Sequence, residues 1–125
     1  MTIQQALDKA DEMQANAMSR KLKLSFLNKC EQMIWEEIIK RHFHTPAEAQ
    51  KPEINESTDP DTVLLIPSPY DDLYWLYLCS EIDYQNKEMD KYNNDRARYE
   101  HARQEAADWI NRTRPSITSF MRIRI

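Results

Sequence analysis

Glycine is absent from all 125 residues. Glycine is the residue that turns with positive φ and loops pressed against a phosphate ordinarily require. Walker-type loops, dinucleotide fingerprints and nucleophile elbows are therefore excluded as written, and tight two-residue hairpins are disfavoured. Cysteine occurs twice, at Cys30 and Cys79, each among apolar neighbours. The N-terminal stretch MTIQQALDKADEM has neither the basic region nor the apolar run of a secretory leader, so two buried thiols are expected rather than a disulfide. No apolar run approaches bilayer length. Bases are scarce in one region: residues 53–90 hold ten acids and only Lys87 as a base, whereas 91–125 hold eight bases against four acids. The net charge of −4 thus conceals two segments of opposite sign, and a general nucleic-acid binder would show a basic excess instead.

What remains is a helix-former's vocabulary joined by Pro, Asn, Asp and Ser. Thr2 caps a first short helix with Ile3, Leu7 and Ala10 on one face. Ser19 caps a second, running to about Arg41, with Leu22, Phe26, Cys30, Met33, Ile34 and Ile38 three or four apart. Thr45-Pro-Ala-Glu48 matches a capping box, and 51–61 (KPEINESTDPD) is a polar loop. Val63–Ile66 reads as a brief extended segment. Ser68-Pro-Tyr-Asp71 opens a third helix, with Ser68 as cap and Pro69 at its first position. On it Leu73, Tyr74, Trp75, Tyr77 and Leu78 go all the way round, which demands cover on every side. Exposed rings stacking bases would need basic neighbours, but Asp71, Asp72, Glu81 and Asp83 stand there. Burial is the reading. Asn86-Lys87 marks a turn, with Asn suited to the left-handed conformation. A fourth helix runs from about Glu88 to Arg112, with Met89, Tyr92, Arg96, Tyr99, Ala106 and Ile110 as its stripe and Ala102 and Trp109 alongside. The alternation of Ile117, Met121, Ile123 and Ile125 suggests a terminal strand that pairs with 63–66 or with another chain. The expected fold is all-α: one domain over 1–115, about four helices, a long polar loop, and room for one or two short edge strands, with 116–125 as a tail.

Side chains with catalytic or metal-binding potential are present but badly spaced for it. His42 and His44 diverge on a helix and lack a nearby third ligand, since His101 lies far along the chain. Neighbouring carboxylates in Asp71-Asp72 and Glu36-Glu37 point about 100° apart on a helix, which suits a cap or a solvated face better than an acid–base pair. Nothing in the spacing sets a nucleophile beside a base. Neither enzyme activity nor a cofactor is expected.

The pieces LL-x-P-x-PYDD-LY (64–74), Ile82-Asp83, Asn86-x-Glu88, Tyr92-Asn-Asn94 and W-x-N-R-T (109–113), with IWEEII at 34–39, resemble a family of small tailed-phage and prophage head–tail connector or neck adaptor proteins. The chain departs from that pattern in carrying Phe26 for Trp and no glycine at 86–87. The resemblance implies a non-enzymatic helical subunit that forms a ring on the portal and prolongs the DNA channel. Its partners would be copies of itself, the portal and the next neck or tail protein, with DNA as passing cargo and no membrane or small-molecule substrate. Its place would be the virion neck, and the host cytoplasm during assembly. Leu73, Tyr74, Trp75, Tyr77, Leu78, Tyr92, Tyr99 and Trp109 are read as packing residues. Asp71, Asp72, Arg96, Arg98, Arg103, Ile123 and Ile125 are read as candidates for the subunit contact, acidic segment against basic. The competing readings are a small helical interaction or regulatory module of a bacterium, and a DNA-binding protein using Arg112, Arg114, Arg122 and Arg124.

Overall fold

A reciprocal capping box starts the chain's first helix. The Thr2 hydroxyl accepts from the Gln5 N–H (3.1 Å) and the Gln5 side chain accepts from the Thr2 N–H (2.9 Å), satisfying two of the donors that a helix start leaves open. In the computed structural model, which describes residues 1–40 and 51–113, this helix is α1 (Ile3–Met13). Ser19 accepts from the Leu22 N–H (3.1 Å) and so caps α2 (Arg20–Ile34). From Trp35 to Ile39 the same rod widens into a π-helical turn, with the Lys40 N–H reaching the Trp35 carbonyl. α3 (Asp72–Gln85) and α4 (Met89–Thr113) form a hairpin. α3 is the axis of the fold, touched by α1, α2 and α4. Every residue from Leu73 to Ser80 is buried. The described residues contain four α-helices and no strand, an all-α bundle.

Two loop segments complete the core. In 62–66 the side chains alternate as an extended chain requires: Leu64 and Ile66 point inward while Val63 stands exposed. The Thr62 carbonyl accepts from the Ile3 N–H and the Met1 carbonyl from the Leu64 N–H, with a single antiparallel bridge between Thr2 and Val63. The start of the chain thus pairs with the segment that the sequence reading offered as one of two partners for the tail. The tail itself, with Ile123 and Ile125, lies outside the described residues, as do the His42/His44 pair and the Thr45 capping box. In the polar loop, Ile54 is buried and its N–H donates to the Asn28 side chain (2.9 Å).

Two expected helix signals resolve differently. Ser68 and Pro69 belong to a turn in which the Tyr70 N–H bonds the Pro67 carbonyl, so α3 begins three residues beyond Pro69 with Asp71 as N-cap. The Asp71 side chain makes no cap bond, because its carboxylate instead faces the terminal ammonium of Met1 at 3.1 Å. At the α3–α4 turn Asn86 stays right-handed and Lys87 takes the positive φ, at 60°. The reason is local: the Asn86 N–H still closes the helix on Ile82, and its side chain reaches the Ala15 carbonyl (3.4 Å), so the reversal falls one residue later.

Candidate functional site

The α3–α4 hairpin concentrates the aromatic and charged side chains. At one end Tyr70 stacks on Trp109, with ring centres 5.2 Å apart. Midway, Tyr77 meets Tyr99 edge to face at 5.1 Å, the geometry that ring quadrupoles favour. Near the turn Tyr84 and Tyr92 do the same at 5.5 Å. The guanidinium of Arg96 lies 4.8 Å from the Tyr77 ring, 5.3 Å from Tyr92 and 5.6 Å from Tyr99, while pairing with Glu81. Trp75, almost fully buried, donates its indole N–H to Asp72 (3.0 Å) and lies beneath Lys9 and Arg98.

A second cluster pins the extended segment to the helices. Glu31 is buried, yet one oxygen accepts from the Tyr74 hydroxyl (2.7 Å) and the other from the Leu65 N–H (2.9 Å). The Tyr74 oxygen in turn accepts from the Ile66 N–H (2.9 Å). Burial raises the Glu31 carboxyl above its ordinary range, against the pull of those two donors and of Lys51 at 4.0 Å. Both cysteines are free and buried. Burial pushes the Cys79 thiol up to about 12 and raises Cys30 further, so neither is a thiolate at neutral pH.

Of the residues read as packing, Leu73, Tyr74, Trp75, Tyr77, Leu78 and Tyr99 are buried, Trp109 is half-buried against the core, and Tyr92 is half-buried against Tyr84 and Arg96. Met89, expected on the α4 stripe, is instead exposed. Of the residues read as a subunit contact, most already hold partners within the chain. Arg96 pairs with Glu81 and Arg103 with Glu37; Asp71 pairs with the terminal amine and Asp72 with the Trp75 indole. Arg98 differs, with a side chain 58% exposed and Asp95 no nearer than 3.8 Å. Sequence reasoning passed over Glu31, whose position on an amphipathic helix gave no sign that loop amides would converge on it. It treated Asp83 as one more acidic neighbour of the rings and as one half of a motif.

Open clefts flank Arg98. One of about 500 Å³ is bordered by Met13, Trp75, Lys91 and Asp95; the other, of about 410 Å³, by Leu76, His101 and Glu105. Among the described residues, no group of three or more His, Cys, Asp or Glu is arranged to hold a metal ion. Nor is any described helix long and apolar enough to cross a membrane. The chain matches no family model, no curated protein and no solved structure.

Proposed function

We propose that this protein is a non-enzymatic structural subunit of a phage or prophage head–tail connector, assembling as a ring on the portal. One observation carries the reading. The two longest hairpin pieces that resemble the connector family, 64–74 and 109–113, are far apart in sequence, yet they meet along the α3–α4 hairpin. Tyr70 of PYDD stacks on Trp109 of W-x-N-R-T, and Tyr92 of the Tyr-Asn-Asn piece packs on Tyr84, next to Ile82-Asp83. Such pieces act as one packing unit, a scaffold's signature more than a reaction centre's. The thiols support the same reading, since burial holds both in the unreactive form.

A ring is built from head-to-tail contacts in which each copy offers two different surfaces. With Arg96 and Arg103 committed inside the chain, Arg98 is the basic side chain of that face left to meet the acidic 53–90 segment of a neighbour. The decisive experiment is electron microscopy of the purified protein mixed with its cognate portal. A closed ring of extra density beneath the portal is the expected result, weakened in low salt by Arg98→Glu. Failure to bind the portal at any salt concentration would sink the proposal. An electrophoretic shift of duplex DNA with a steep salt dependence would replace it with a DNA-binding role.

A further inference from the structure

Asp83, near the end of α3, is fully buried, and neither of its carboxyl oxygens has a hydrogen-bond donor. Burial raises its carboxyl, and so do hydrogen bonding and charge from Asp95, across the hairpin on α4. Glu88 in the turn adds negative charge, and Lys91 on α4 opposes it, though its ammonium is held 2.7 Å from Glu88. One turn back on α3, Cys79 shares the field of Asp83, Asp95, Arg98 and α1's Asp11; Asp11 is itself paired with Lys23. A buried carboxyl without a donor is not ionised beside a second carboxyl; one shared proton both removes the repulsion and supplies the missing donor.

We propose that Asp83 and Asp95 form a proton-held latch across the α3–α4 hairpin, closed while the pair shares a proton and loosened when that proton leaves. Asp95 also lines the open cleft beside Trp75, with its side chain 19% exposed. The proton therefore passes between the pair and solvent by way of Asp95, without unfolding around Asp83. The midpoint falls in the physiological range, because burial first, and Asp95 second, push Asp83 up to about 7. The sign follows. A carboxyl raised in the folded state gives stability that is full below its unfolded value near 4 and lost as pH rises through about 7. Between pH 5.5 and 8.5 the opening equilibrium of the hairpin should rise about thirtyfold, ten per unit over the 1.5 pH units below the midpoint and level above it.

The test is hydrogen exchange on the full chain at those two pH values, corrected for intrinsic exchange rates. Amides of 80–95 should lose about thirtyfold in protection, while those of 62–66, beside Glu31, and of α1, beside the terminal amine, serve as internal references for the other titrating groups. Asp83→Asn, whose amide donates as the shared proton did, should keep full protection at pH 8.5. Should that variant fail to fold, Asp95→Asn and the carboxyl carbon shifts of the unaltered protein decide. A carboxyl titration centred near 7 supports the latch. Both groups titrating below pH 5, or protection of 80–95 that does not change with pH, overturns it.

Discussion

Two tyrosines in one core should respond in opposite ways to the loss of the same atom. Tyr74 and Tyr99 are both buried, but the Tyr74 hydroxyl donates to Glu31 at 2.7 Å and accepts from the Ile66 N–H at 2.9 Å. The Tyr99 hydroxyl has no hydrogen-bond partner and lies beside the weakly polar Cys30 thiol. Tyr74→Phe removes a charge-assisted bond, about 1.5–3 kcal/mol, and strands a buried N–H at a further ~1–3 kcal/mol. After the gain from not burying a hydroxyl, the net loss is about 3 kcal/mol, or roughly 11 °C in Tm for a domain of this size. Tyr99→Phe deletes only an unsatisfied group and should stay within about 0.5 kcal/mol of the parent, on either side. Equilibrium urea unfolding followed by circular dichroism at fixed pH measures both. The pH dependence adds a second readout. Glu31 is raised in the folded state, so its share of stability is full below about 4 and declines as pH rises through the folded value. Tyr74→Phe takes away a bond that lowers that value and should steepen the decline, whereas Glu31→Gln should flatten it. If Tyr74→Phe costs no more than Tyr99→Phe, the Glu31 network does not hold the 62–66 segment and the reasoning fails.

Lys87 occupies the left-handed region without the glycine that relieves it, so Lys87→Gly should stabilise the protein by about 1 kcal/mol, visible as a higher denaturation midpoint with unchanged slope. Arg96, enclosed by three tyrosines and Glu81 with its side chain a quarter exposed, should cost about 2 kcal/mol on replacement by Ala. Lys should recover under half of that, because an ammonium cannot both stack and fork. Neither thiol should react with a disulfide reagent at pH 7.5 in the native protein, and both should react once it is unfolded in urea; a fast native phase would contradict the burial of Cys30 and Cys79.

Much of the fold could be read from the chain because its signals are local. Thr2 and Ser19 cap where their hydroxyls and the following apolar spacing indicate, and α3 is buried all round because its residues allow nothing else. The boundary at Ser68-Pro69 misled because a hydroxyl followed by proline also suits a turn, and the choice between them rests on Pro67 and on the ammonium that claims Asp71. The partner of 62–66 was not legible for a different reason. A short apolar run pairs with any free backbone nearby, and nothing in its own residues names Met1–Gln4. The buried acids were hidden by the same limitation. Glu31 and Asp83 are charged by type, and only the packed structure shows that one is fully bonded while the other lacks any donor.

This distinction also reshapes the connector reading. The sequence demanded cover on every side of α3, and α1, α2 and α4 of the same chain supply it, so that Trp75 keeps only 7% of its surface. An assembly contact therefore has to use side chains the core leaves outside. Of the five exposed large apolar residues among those described, Met13, Leu22, Tyr84 and Met89 gather at the end where the α1–α2 joint meets the α3–α4 turn, while Val63 stands at the other end beside Thr2. A ring contact made through the hairpin end would sit directly above Asp83 and Asp95, so proton loss at the latch should alter assembly as well as local opening. Portal binding by the parent protein that falls between pH 6 and 8.5, set against pH-independent binding by Asp83→Asn, would join the two proposals. Identical pH profiles for the two proteins would separate them and leave the latch a feature of the hairpin alone.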